Sequence, residues 1–134
     1  MSENKVGFLK NIPFFTHLPE ENLAQIADVI EQRVFNQHEV VFHQNDEADG
    51  MYIIIFGEVE VAIDMKVVAK LGMGDFFGEI ALITSEPRTA SIGVVSPTCS
   101  TLFLSKEAFD KIKYKVSPEN QKEILRRIYE NSQR

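Results

Sequence analysis

The chain contains no tryptophan and only one cysteine, Cys99. A single thiol cannot close an internal disulfide or hold a zinc ion alone, so neither kind of staple is available. Glycine and proline are sparse, 7 and 5 residues, and nowhere cluster into a linker or a repeat. Long apolar runs are missing too. The longest, Met51–Phe56, is six residues, far below the ~20 that a membrane helix needs. The opening Met1-Ser2-Glu3-Asn4-Lys5 leads into no apolar stretch of signal-peptide type. These absences exclude a disulfide scaffold and a helical membrane span, and they predict a cytoplasmic domain.

What is present is globular: 134 residues, 44% hydrophobic and 25% charged. That length predicts a single domain over 1–134, with a core that needs no staple. Acidic residues outnumber basic ones 20 to 14. The imbalance is uneven. Residues 1–104 hold 6 basic and 15 acidic side chains, whereas 105–134 hold 8 basic and 5 acidic. An acidic body repels a phosphate backbone, which argues against DNA binding. The mixed charge of the last stretch reads as a solvated helix face.

Three zones follow along the chain. Over 5–33 the pattern is helical: Pro19, Glu20 and Glu21 suit a helix start, and Leu23, Ile26, Ala27 and Ile30 form one apolar stripe. Over 34–105 short strands alternate with turn signals. Val59, Val61 and Ile63 share one face, and Asp64-Met65 marks a tight turn. Such a series argues a sandwich or jelly roll. Over 105–131 helix returns. Ser105 is a candidate N-cap ahead of Phe109 and Ile112, and Ser117-Pro118 starts a second helix carrying Ile124, Leu125, Ile128 and Tyr129.

Chemistry concentrates in one segment of the middle zone. Gly78-Glu79-Ile80-Ala81-Leu82 predicts one helical turn opened by a glycine. Such a start leaves backbone N–H groups for an anion. Arg88 is the sole basic residue between Lys70 and Lys106, and a fixed guanidinium beside free N–H groups outlines a phosphate site. Glu79 accepts hydrogen bonds only; next to an anion it needs a donor of its own, which a ribose hydroxyl supplies.

Phe77–Ser91 resembles the phosphate-binding cassette of the cyclic-nucleotide-binding domain family, which recurs in kinase regulatory subunits, gated channels and catabolite activators. The shared pattern is G-E-[hydrophobic]-A-L followed by R-[T/A/S]-A, ungapped from Gly78 to Ala90. Tyr52–Val61, Leu71–Gly78 and the flanking helices extend the likeness across about Phe8 to Tyr129. The resemblance implies an α+β fold, an antiparallel, jelly-roll-like β-roll flanked by N-terminal and C-terminal helices. It implies a ligand site of Phe77, Gly78, Glu79, Ile80, Ala81, Arg88, Thr89 and Ala90, with Arg88 on the cyclic phosphate and Glu79 on the ribose 2′-hydroxyl. It also implies a lid on the C-terminal helix, with Leu125, Ile128 or Tyr129 over the base. Two departures stand out: the family's glycines around its second strand are replaced by His38 and Asn45, both outside the cassette.

The expected function is a cyclic-nucleotide sensor without catalysis or catalytic cofactor, taking cAMP rather than cGMP. It would signal through its C-terminal helices to a protein partner or a second copy. The rival reading is an interaction scaffold of the same fold with a vestigial pocket, in which Glu79 and Arg88 merely stitch a loop. A cupin-like metal site is disfavoured, because His38 and His43 are five apart with no third ligand in a suitable arrangement, and His17 lies in the helical zone. Cys99 on a strand reads as a small core residue.

Overall fold

The computed structural model describes residues 6–7, 9–10, 20–82 and 84–113, with positions 119, 122 and 126. Helix α1, Glu20–Val29, is followed by β1 (Glu31–Asn36), β2 (Val40–Phe42), β3 (Gly50–Phe56), β4 (Val59–Ile63), β5 (Lys66–Leu71) and β6 (Phe76–Phe77). A 3-10 turn, Glu79–Leu82, then leads to β7 (Ser91–Val94), β8 (Thr98–Ser105) and helix α2 (Lys106–Lys113). All strand pairs are antiparallel, in two four-stranded sheets ordered β1-β8-β3-β6 and β2-β7-β4-β5. The predicted β-roll between helices is present.

The central strands of the first sheet, β3 and β8, are buried on both faces, which explains why β3 is a continuous apolar run and not an alternating one. Met51 and Ile53 point to the helices and pack with Leu23, Ile26, Leu102, Leu104 and Phe109. Tyr52 and Ile54 point the other way, into the roll, with Val59, Phe77, Ile92, Cys99 and Phe103. The α1 stripe is buried as its spacing demands, and Cys99 is a fully buried core residue. Ser105 caps α2, its Oγ accepting from the Ala108 N–H at 3.0 Å.

One expectation needs correction. The helical zone does not reach residue 33, because β1 already runs from Glu31, pairing Glu31 with Phe103 and Arg33 with Thr101. Partnership with β8 overrides the local pattern there. Phe76–Phe77 is also a strand, pairing with Tyr52 and Ile53 and carrying β3's sheet to the edge of the cassette. The hairpin at Asp64-Met65 is as expected, with φ of 52° and 69°, the left-handed pair that a two-residue turn requires. Ile124, Leu125, Ile128 and Tyr129 lie outside the described residues.

Candidate functional site

The roll's interior opens beside the 3-10 turn into a cavity of about 140 Å³. Of the eight site residues predicted from sequence, all but Glu79 line it. Three strands supply its apolar wall, through Phe42, Val61 and Ile92. Glu86, Pro87 and Thr89 are exposed at its rim. Glu79 opens the 3-10 turn, half-buried, outside this lining.

Arg88 is the most buried charged group described, with 5% of its surface exposed. Its guanidinium donates from Nη1 to the Gly78 carbonyl at 3.2 Å, and from Nη2 to the Gly50 carbonyl and Asp49 Oδ1, both at 2.8 Å. The Phe42 ring lies under it, 3.9 Å from Cζ to the centroid, a cation–π contact. Burial pushes the Arg88 pKa down, opposed first by the Asp49 carboxylate and least by Glu79. Arginine does not deprotonate in a protein, so the desolvation acts instead as a demand for anions. The Nε donor is buried and has no acceptor among the described residues. Buried donors of that kind are rare.

Glycine at 78 and 50 makes this seat possible. Gly78 has φ +77°, and a Cβ there would stand 2.6 Å from Arg88 Nη1. A Cβ on Gly50 would collide with the Leu104 carbonyl oxygen. The backbone of Arg88 is fixed as firmly as its side chain. Its N–H donates to the Asp46 carbonyl and its carbonyl accepts from the Asn45 N–H, both at 2.8 Å. Asn45 reaches that position with φ 76°, which asparagine tolerates better than most residues. This departure therefore belongs to the site after all. His38, with φ 73°, turns the chain between β1 and β2 and donates its N–H to the Val94 carbonyl at 2.9 Å.

Sequence reading missed Asp49 and Phe42, the acid that faces Arg88 and the ring beneath it. The only available signal was Asp49-Gly50 at the mouth of an apolar strand, which does not mark an arginine's partner. The alternative that Arg88 pairs with Glu79 to stitch a loop gives way to an ion pair with Asp49. Among the described residues no group of three His, Cys, Asp or Glu side chains could hold a metal ion, and no helix is long and apolar enough to cross a membrane.

The chain resembles known proteins over most of its length. The chain is 34% identical over 117 residues to cGMP-dependent protein kinase, isozyme 1, of Drosophila melanogaster, covering 82% of this chain and 15% of the kinase. It is 32% identical over 108 residues to the cAMP-dependent protein kinase type II regulatory subunit of the same organism, covering 78% of this chain and 29% of that one. It therefore spans less than a third of either relative. Among solved structures, the regulatory subunit of a cAMP-independent protein kinase A from Trypanosoma brucei superposes with a TM-score of 0.84 at 24% identity, covering 99% of this chain and 46% of that one. That likeness speaks for the fold alone. Residues 32–128 match the cyclic nucleotide-binding domain, and the chain belongs to that family.

Proposed function

We propose that this domain is a non-catalytic sensor that binds a cyclic nucleotide at the Arg88 cavity. One observation carries the reading: a guanidinium buried at the end of a small apolar cavity, with a donor nitrogen that no acceptor among the described residues reaches. A cyclic phosphate brings both the negative charge and the acceptor oxygens. The phosphate rests on Arg88 with the backbone of Ile80, Ala81 and Ala90. Glu79, beyond the cavity lining, accepts from the ribose 2′-hydroxyl. The relatives described as cGMP- and cAMP-dependent kinases support a cyclic nucleotide without choosing between the two. We favour cAMP, because Thr89 offers guanine a single hydroxyl and no second guanine-specific group is evident. A cGMP preference abolished by Thr89→Ala would reverse that choice.

Occupancy passes to the C-terminal helices, where Leu125, Ile128 or Tyr129 closes over the base, and from them to a protein partner or a second copy. The rival is a scaffold of the same fold with a vestigial pocket; the fold itself is shared with the regulatory subunit of a cAMP-independent protein kinase A. Melting with and without nucleotide separates the two. Ligand at 100 times its dissociation constant stabilises by ~2.7 kcal/mol, several degrees for a domain of this size. No shift with either cAMP or cGMP leaves the scaffold.

A further inference from the structure

Lys106 is the first residue of α2, where a cation opposes the positive end of the helix dipole. Its placement makes sense only through what it touches. The half-buried side chain donates from Nζ to the Thr84 carbonyl at 3.2 Å, with the Ser85 hydroxyl at 3.5 Å. Its backbone N–H donates to the Asp49 carbonyl at 2.8 Å. These are the two pieces of chain that set Arg88: Asp49 holds the guanidinium through its carboxylate, and Thr84–Ser85 leads from the 3-10 turn to Arg88 itself. One residue at the head of α2 thus grips both.

We propose that Lys106 is a positioning residue for the anion site and couples its occupancy to the placement of α2. The proposal rests on the cyclic-nucleotide reading above. A ligand that shifts Arg88, the turn or Asp49 alters at least one of the Lys106 bonds, so each arrangement of α2 has its own affinity for ligand. Ser105 caps the helix independently of the ammonium, so α2 can form without the Lys106 side chain. Its coupling is then separable from its folding.

The test compares wild type, Lys106→Met and Lys106→Arg, each as the full chain, by calorimetry with cAMP and cGMP and by hydrogen exchange over residues 106–113. In the wild type, nucleotide changes protection across 106–113. Lys106→Met, which keeps the stem and the backbone bond, binds roughly 3- to 30-fold more weakly and loses the protection change even at saturating nucleotide. Lys106→Arg restores both. Reading the response at saturation matters, because a merely destabilised domain still responds once it is filled. A Lys106→Met protein with wild-type affinity and the full response overturns the proposal, as does wild type that binds nucleotide without any change over 106–113. Wild type that binds neither nucleotide overturns the underlying reading too, and so identifies itself as a different failure.

Discussion

Arg88 and Asp49 are bonded at 2.8 Å, yet they occupy unlike surroundings: 4% of the arginine side chain is exposed and 61% of the aspartate's. The guanidinium cannot leave its seat, whereas the carboxylate stands at the solvent boundary. In such a pair the buried cation is the fixed partner and the anion the exchangeable one. Removing the cation should therefore remove the site. Arg88→Ala is expected to cost roughly 2–5 kcal/mol of cyclic-nucleotide binding. Arg88→Lys should bind poorly as well, since an ammonium cannot reproduce the planar fork that spans Gly78, Gly50 and Asp49. Calorimetry showing equal affinity for wild type and Arg88→Ala would end this assignment.

Gly78→Ala tests the seat from the other side. The substitution strains a backbone held at φ +77° and drives a methyl group toward Arg88 Nη1. It should destabilise the fold by about 1–3 kcal/mol, as measured by urea denaturation, and weaken nucleotide binding in step. A stable variant of undiminished affinity would mean that the turn relaxes without moving the guanidinium.

Glu79 gives a prediction that depends on ligand chemistry. A 2′-deoxy cyclic nucleotide should bind the wild type less tightly than its parent, because the carboxylate loses its donor. In Glu79→Ala that penalty should shrink. A full penalty persisting in the variant would place the ribose contact on another residue.

Cys99 supplies the pH dependence. Burial alone pushes its thiol above the ordinary value of 9.0. Folded, the sulfur keeps its proton where the unfolded chain has begun to lose it, so the unfolded state binds fewer protons above that value. The thiol's contribution to stability is whole below about pH 9 and is lost as the pH rises through the raised folded value. Cys99→Ala lacks this dependence, while its packing loss is constant with pH. The fall in melting temperature from about pH 8 to about pH 10.5 should accordingly be smaller in the variant; parallel falls would exclude a titrating Cys99.

Several parts of this fold were legible because local chemistry decided them. The α1 stripe, the Asp64-Met65 turn and the Ser105 cap each rest on neighbours within a few residues. The cassette was legible for the same reason, as an ungapped local pattern, and seven of the eight site residues expected from it do converge on one cavity. What escaped was non-local. β1 forms because Val34 and Phe35 find Ser100 and Cys99 across the sheet, and no spacing within 31–36 announces that partner. Asp49 and Phe42 join Arg88 only once Asn45 and Asp46, in the loop following β2, pair with the Arg88 backbone. Asn45 was visible as an oddity, but its role depended on a carbonyl 43 positions away.

The pairing of β1 with β8 bears on how the molecule is made. Asn36 and its partner Thr98 are 62 positions apart, so the sheet cannot close until β8 is available. Closing such a span forfeits chain entropy before any contact is gained, and topologies of this kind fold in milliseconds to seconds rather than microseconds. On the ribosome, β3 emerges long before β8, with its apolar run Met51–Phe56 lacking the central strand that covers its edge. That interval is when the chain is most exposed to aggregation. A version shortened before Thr98 would make the interval permanent, and should accumulate as inclusion bodies rather than as a smaller domain.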